Sequence, residues 1–199
     1  NALKELKDQG AQKIVFDLRG NGGGLLREAV NIVNLFVPKN ELVVETRGKI
    51  PEWDKTYKTL SEPQDATIPL VVLVDGQSAS ASEILAGAIR DNNRGVLVGE
   101  TTYGKGSVQG LFHTKSLSSG IRLTVSKFYS PSGKAIAEKG VQPNVAVSDE
   151  PESGLHFVAK KAQGGTVQGG TGPQDKALQV AIEQARRSLM TAQTAAAHK

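Results

Sequence analysis

Residues 70–98 read LVVLVDGQSASASEILAGAIRDNNRGVLV, and their pattern is the strongest indication of the fold. It opens with an uninterrupted apolar run, residues 70–74, whose length and valine content are typical of a strand buried on both faces. Residues 81–91 then show the helical spacing of apolar side chains, and a second apolar run begins at Val96. The stretch therefore predicts a strand, a helix and a second strand parallel to the first.

The same alternation precedes this stretch. Residues 13–18 (KIVFDL) form a short apolar run, and residues 25–36 carry apolar side chains on one helical face before Pro38 ends the helix. Strand, helix, strand, helix and strand at this spacing predict right-handed crossovers and a mostly parallel sheet.

The rest of the chain predicts a smaller strand-rich part. Strands are expected at residues 42–47, 55–60 and 107–126, the last broken by a turn at residues 118–120, and an edge strand is expected at residues 141–147. The fold class is therefore α/β, with a mostly parallel sheet and a smaller strand-rich region.

This pattern divides the chain into three segments. Residues 1–150 form the core, which begins with a short helix that ends at Gly10. Residues 151–174 are expected to contain a short helix and a flexible linker rich in glycine and glutamine. Residues 175–199 predict a last helix capped by Asp175, with a tail that frays from Thr191.

The composition limits the possible functions. The 199 residues carry a net charge of +4, 38% apolar residues and no cysteine, which excludes disulfides, zinc–thiolate sites and thiol nucleophiles. The basic residues are scattered and lack interleaved aromatics, so nucleic-acid binding is not favoured. No apolar run is long enough to span a membrane, and the 3 histidines fit no zinc pattern. We expect neither a metal nor an organic cofactor.

A serine and a lysine are the candidates for chemistry. Ser80 lies at the predicted strand-to-helix turn, and Lys105 lies between two glycines. A serine hydroxyl needs a base to become a nucleophile. No histidine motif is available, so a lysine amine is the candidate base, provided that burial lowers its pKa from about 10.4. In an extended chain Gln109 would share a face with Lys105 and could hold its amine.

Each candidate also has a structural interpretation. Ser80 and Glu83 match the Ser-x-x-Glu capping box, so Ser80 could simply cap the helix. Lys105 could be an exposed loop lysine, and Gln109 an ordinary polar strand residue. The two interpretations of Ser80 are compatible, because a helix start offers the N–H of Ala81 to a developing oxyanion. No G-x-S-x-G elbow surrounds the serine.

Residues 17–24 (DLRGNGGG) form a glycine-rich loop between a strand and a helix. Leu25 stands where the dinucleotide pattern requires its third glycine, and no P-loop lysine follows. Either the backbone N–H groups of this loop face an anion or oxyanion, or the loop is only a tight turn. Asp17 and Arg19 are expected to brace the loop rather than to react.

Three segments together resemble the carboxyl-terminal processing (tail-specific) serine peptidases of bacterial envelopes and plastid lumens. They read IVFDLRGNGGGLLREAVNIVNLFVP, VVLVDGQSASASEILAGAIRDNNRGVLVGETTYGKGSVQ and IRLTVSKFYSPSGKAIAEKGVQPNV. The resemblance covers most of residues 3–147 and implies a crotonase/ClpP-like core of ββα units. It implies that Ser80 is the nucleophile, Lys105 the general base and Gln109 the residue that orients the lysine.

The resemblance also implies an oxyanion hole, in which Gly23 or Gly24 acts together with the amide of Ala81. It implies a serine endopeptidase of the cell envelope or periplasm that cleaves polypeptides with exposed C-termini through an acyl-enzyme. Family members carry a PDZ domain and a first core strand that nothing in these 199 residues resembles, so a PDZ domain is expected in the parent protein. A homo-oligomer is a further expectation.

Two other functions stay open at this point. One is a catalytically silent module that binds peptides or other ligands in the same cleft. The other is a crotonase-type acyl-CoA enzyme, in which the Gly-Lys-Gly segment would have no evident role.

Overall fold

The computed structural model describes residues 2–113, 119–148 and 175–197, with the side chains of the last segment described up to residue 188. The helices are α1 (Ala2–Asp8), α2 (Leu26–Val33), α3 (Ala81–Asp91) and α4 (Lys176–Ala197). The strands are β1 (Ile14–Asp17), β2 (Leu42–Gly48), β3 (Lys55–Lys58), β4 (Leu70–Val74), β5 (Val96–Gly99), β6 (Ser107–His113), β7 (Gly120–Tyr129) and β8 (Val145–Ala146). None of the described helices is long and apolar enough to cross a membrane.

The first sheet is parallel and has the strand order β1, β4, β5, β8. Every residue of β4 is buried, because helices cover the sheet on both faces. Val72 and Val74 belong to the core shared with α2 and α3, whereas Val71 and Leu73 belong to the core shared with α4. The predicted parallel sheet is therefore confirmed.

The second sheet is antiparallel and has the order β3, β2, β7, β6. It contains the strands predicted in the strand-rich part, and β6 and β7 form its longest pairing, from Ser107 opposite Lys127 to His113 opposite Gly120. The two sheets together give the mixed α/β architecture expected from the sequence.

Some boundaries differ from the prediction. Helix α2 ends at Val33, and the next residues form i to i+3 hydrogen bonds such as Phe36 N–H to Val33 O, because the chain must become extended before Pro38. The predicted edge strand is only two residues long. Helix α4 continues to Ala197, past the expected start of fraying at Thr191, as its alanine content favours. The predicted short helix and linker at 151–174 lie outside the described residues.

The fold brings three loops to one edge of the parallel sheet. We call them the glycine loop (residues 18–25, after β1), the serine turn (residues 75–80, after β4) and the lysine loop (residues 100–106, after β5). Because their strands are neighbours and parallel, their carboxyl ends meet at this edge, where such sheets commonly bind ligands. Backbone hydrogen bonds join the loops, from Ala79 N–H to Asn21 O (3.0 Å) and from Tyr103 N–H to Ser78 O (3.0 Å).

Candidate active site

Ser80 occupies a strained turn at the start of α3. Its φ of 58° and ψ of −117° lie in a region that residues other than glycine rarely adopt. A sharp turn between a strand and a helix is also the setting of the nucleophile in α/β-hydrolases. The sequence did not reveal this conformation, because no glycine flanks the serine. Ser80 is the N-cap residue as predicted, so its structural role and its candidate chemical role coexist.

Glu83 connects the serine turn to the lysine loop. Its side chain is completely buried and accepts four hydrogen bonds. Oε2 accepts the N–H groups of Ser80 and Lys105, each at 2.8 Å. Oε1 accepts the hydroxyl of Thr102 at 2.6 Å and the N–H of Gly104 at 2.7 Å. Four donors fill the lone-pair sites of a carboxylate, so this one side chain fixes the backbones of both loops.

The lysine loop is packed tightly against residues 136–138. A Cβ on Gly106 would lie 2.3 Å from Ala137 N, and Gly104, at φ +91°, contacts the backbone of Glu138. The flanking glycines therefore permit close packing of the loop backbone. The burial that a role as base required of Lys105 is not observed, because its side chain is exposed. Its amine has no hydrogen-bond partner among the described residues.

Gln109 does not contact Lys105 through a hydrogen bond. Its Nε2 donates to Oγ1 of Thr124 at 2.7 Å and to Oγ of Ser107 at 3.3 Å. Strand β6 begins at Ser107, and its register against β7 shifts between Val108 and Gln109. Regular strand geometry therefore covers only part of the interval between Lys105 and Gln109. The orienting role of Gln109 stays a prediction.

The glycine loop packs directly on the serine turn. Gly23 has φ +90°, and a Cβ there would lie 2.5 Å from Ala79 O and 2.7 Å from Ala81 N. The N–H of Gly23 already donates to Oδ1 of Asn21 at 2.9 Å. The N–H groups of Gly24 and Ala81 have no partner among the described residues. Gly23 thus provides the close approach, and Gly24 and Ala81 are the amides available to an oxyanion.

An ion-pair network braces the start of the glycine loop. The Arg19 guanidinium contacts the carboxylates of Asp17 and Asp175, in each case at 2.8 Å from Nη2. Hydrogen bonds to Asp17 and then Asp175 raise the pKa of Arg19 above its usual value, and the hydrogen bond from Arg19 lowers the pKa of Asp175. Gly20 N–H donates to Asp75. The predicted bracing role of Asp17 and Arg19 is consistent with these contacts.

A cavity of about 210 Å³ opens beside the serine turn. Its wall includes Gly23, Gly24, Leu25, Ala29, Ala81 and Leu85. Because it adjoins the candidate oxyanion amides and is largely apolar, it can hold an apolar side chain next to Ser80.

A larger cavity of about 570 Å³, whose wall includes Arg90, Lys134 and Lys139, contains none of the candidate catalytic residues. Within the described segments no cluster of histidine, aspartate or glutamate is arranged to hold a metal ion.

Two residues of this site were not predicted from the sequence. Glu83 was expected only as half of a capping box, and Thr102 was not expected to contribute. The sequence signal for Glu83 is a glutamate surrounded by small and apolar residues within the predicted helix. In the structure residues 81–89 are all buried, and a buried carboxylate requires several donors.

Comparisons with known proteins identify the family. The family model of peptidase family S41 matches residues 1–147. Carboxyl-terminal-processing peptidase 1, chloroplastic, of Arabidopsis thaliana is 41% identical over 143 residues, which are 72% of this chain and 29% of that protein. The carboxyl-terminal-processing protease of Synechocystis sp. is 36% identical over 201 residues, which cover 100% of this chain and 42% of that protein.

Solved structures show the same fold. A photosystem II D1 C-terminal processing protease superposes with a TM-score of 0.68 at 37% identity, over 74% of this chain and 37% of that one. A lipoprotein from Streptococcus agalactiae superposes with a TM-score of 0.57 at 16% identity, over 73% and 54% of the two chains, and shows a shared fold alone. The chain spans less than half the length of the two curated relatives.

Proposed function

The chain belongs to peptidase family S41, and from this premise we propose that the protein is a serine endopeptidase that cleaves polypeptides near their C-termini through an acyl-enzyme. Ser80 attacks the scissile carbonyl, and its hydroxyl proton passes to the neutral amine of Lys105. The same lysine then protonates the leaving amine, and water hydrolyses the ester. The amides of Gly24 and Ala81 stabilise the oxyanion of each tetrahedral intermediate.

The double role of Glu83 Oε2 is the observation that carries this proposal. A single buried oxygen accepts the backbone N–H of Ser80 and of Lys105. The candidate nucleophile and the candidate base are thereby held on one rigid support, although they come from different loops. A structural capping role for Ser80 alone would not require the lysine loop to share that oxygen.

The mechanism requires a movement of the Lys105 side chain. In the structure this side chain is exposed and its amine makes no hydrogen bond to the described residues. Rotation about its side-chain bonds is therefore unhindered by existing partners. We propose that bound polypeptide covers the site, removes water from the amine and brings it to Ser80, which favours the neutral form of the base.

The cavity beside the serine turn supports an apolar preference for the residue that precedes the scissile bond, since its wall includes Leu25, Ala29 and Leu85. By family resemblance the substrates are polypeptides with exposed C-termini, and the compartment is the cell envelope or periplasm. Assembly into a homo-oligomer stays a prediction of the same kind.

Peptide turnover by two variants tests the proposal. Ser80→Ala and Lys105→Ala should each lower kcat by at least about 1000-fold, because members of such a unit act together. Lys134→Ala is the matched control, since Lys134 is also an exposed lysine and lies outside the site. Activity close to wild type in either site variant would disprove the mechanism.

A catalytically silent peptide-binding module is the second candidate. The hydrogen bond from Gln109 to Thr124 favours it, because this bond holds Gln109 without using Lys105. A serine-reactive fluorophosphonate distinguishes the two functions. Labelling that requires both Ser80 and Lys105 supports the peptidase, and no labelling of the protein supports the silent module. Neither the family nor the site supports the acyl-CoA alternative.

A further inference from the structure

The last helix is joined to the glycine loop by a bidentate ion pair. Nη1 of Arg19 donates to Oδ1 of Asp175 at 2.9 Å, and Nη2 donates to Oδ2 at 2.8 Å. Parallel donation from a planar guanidinium to both oxygens of a carboxylate fixes orientation as well as distance. The pair joins residues 156 positions apart in the chain.

Arg19 is restrained from its other side as well. Its Nε donates to Oδ1 of Asp17 at 3.0 Å and its Nη2 donates to Oδ2 at 2.8 Å. Asp17 is the last residue of β1. The guanidinium thus bridges the end of a sheet strand and the residue that precedes α4, and the Arg19 side chain is only 22% exposed.

The backbone that follows Arg19 leads directly to the candidate oxyanion amides. Gly20 N–H donates to Asp75, the O atom of Asn21 accepts Ala79 N–H, and Gly23 packs on the serine turn. If Arg19 moved, the short hydrogen-bonded segment that follows it would transmit the movement to the backbone of Gly24.

Helix α4 is a firm support for this contact. Three alanines on one face, Ala177, Ala181 and Ala185, are buried against the outer face of the parallel sheet. The Asp175 carboxylate also caps the helix, since its Oδ1 accepts Leu178 N–H at 2.8 Å. One side chain therefore defines where the helix begins and where Arg19 is held.

We propose that Asp175 is a positioning residue for catalysis, and that docking of α4 through Arg19 holds the glycine loop where its amides can stabilise the oxyanion at Ser80. This inference rests on the proposed function. It gives α4 a role in the reaction, although this helix contains none of the candidate catalytic residues.

The test uses Asp175→Asn in the full 199-residue chain. Asparagine keeps a cap for Leu178 but loses the charged, bidentate pair with Arg19. The matched control is Glu183→Gln, which removes a charge from the same helix at an exposed ion pair with Arg187. Arg19→Lys is the second variant, because a lysine ammonium cannot bind both carboxylates as a planar fork does.

Two readouts decide the proposal. Hydrogen–deuterium exchange of residues 18–25 should become faster in Asp175→Asn and Arg19→Lys, and unchanged in Glu183→Gln. The rate of fluorophosphonate labelling and kcat should fall about tenfold or more with little change in KM, since misplaced catalytic groups cost rate rather than binding. Circular dichroism establishes that each variant is folded.

The outcomes separate this inference from the proposed function. Exchange and kcat that equal the wild-type values in both folded variants, while Ser80→Ala is inactive, overturn the inference and leave the peptidase intact. If the wild-type protein neither reacts with the fluorophosphonate nor cleaves peptides, the proposed function fails. The hydrogen–deuterium exchange of residues 18–25 then tests by itself whether α4 is coupled to the glycine loop. A loss of kcat as large in Glu183→Gln as in Asp175→Asn also overturns the inference.

Discussion

The backbone N–H groups of Ser80 and Lys105 donate to the same atom, Oε2 of Glu83, each over 2.8 Å. These two residues belong to different loops, and no hydrogen bond joins their side chains. Their relative position is thus set through the main chain and one buried carboxylate. Preorganisation of this kind lets the lysine side chain move while the loops that carry both groups stay fixed.

Replacement of Glu83 should be costly for both stability and activity. In Glu83→Gln an NH2 group replaces one carboxylate oxygen, so that a donor faces the buried donors that this oxygen accepted. The free energy of unfolding should fall by at least about 1–3 kcal/mol, the cost of one buried donor without an acceptor, and fluorophosphonate labelling should be lost. Urea unfolding measures the first effect. The control is Glu62→Gln, an exposed position; equal stability of the two variants would contradict the prediction.

Gly23 and Gly22 form a matched pair within one loop. In Gly23→Ala the new Cβ would lie 2.5 Å from Ala79 O, and the backbone has φ +90°. We expect about 1–3 kcal/mol of destabilisation and a loss of labelling at Ser80. Gly22→Ala has no neighbour within 4 Å of the new Cβ, so it should behave like wild type. Loss of labelling in both variants would show that the contact with the serine turn is not the cause.

The bond between Gln109 and Thr124 predicts an unusual result. Thr124→Val removes the 2.7 Å acceptor and releases the amide of Gln109. If Gln109 orients the lysine, kcat of Thr124→Val should equal or exceed that of wild type, while Gln109→Ala should lose about tenfold or more. Thr124→Ser keeps a hydroxyl acceptor and is the control. A kcat of Thr124→Val as low as that of Gln109→Ala would refute the orienting role.

Asp91 predicts a pH dependence of stability. Burial alone would raise its pKa, but hydrogen bonds from Arg90 and Ser132 outweigh burial and hold the pKa below its ordinary value of 3.8. A carboxylate with a lowered folded pKa stabilises the fold above its unfolded pKa, and this contribution is lost as pH falls through the folded value.

The free energy of unfolding of the wild-type protein should therefore exceed that of Asp91→Asn most near pH 6, and this difference should shrink below about pH 4. Urea unfolding at several pH values measures it. Asp8→Asn, at an exposed position, should show no such trend. A difference that stays constant down to pH 2 would mean that Asp91 stabilises the protein independently of its charge.

The cavity of about 210 Å³ predicts the substrate preference. Peptides with alanine, valine or leucine before the scissile bond should exceed those with aspartate or lysine by at least about tenfold in kcat/KM. Ala29→Leu, which fills part of the cavity, should shift the preference toward alanine while Ser80 still labels. Unchanged selectivity in this variant would place the specificity pocket elsewhere.

Local sequence patterns predicted most of the fold. The run at residues 70–74 and the helix at residues 81–91 lie where the structure has β4 and α3, because burial on both faces and helical periodicity leave strong signals. Boundaries set by competing interactions were less accurate. Helix α2 ends early before Pro38, and the edge strand predicted at residues 141–147 is only Val145–Ala146.

The amino-acid sequence was sufficient to predict the alternation of strands and helices, the residue types of a candidate serine–lysine site and the resemblance to the family, since these depend on local composition and spacing. Only the tertiary structure decided that Glu83 joins Ser80 to Lys105, that Gly23 packs against the serine turn and that Asp175 holds Arg19. Such contacts join residues far apart in the chain. Their geometry depends on how the packed strands place each loop, and spacing along the sequence does not encode it.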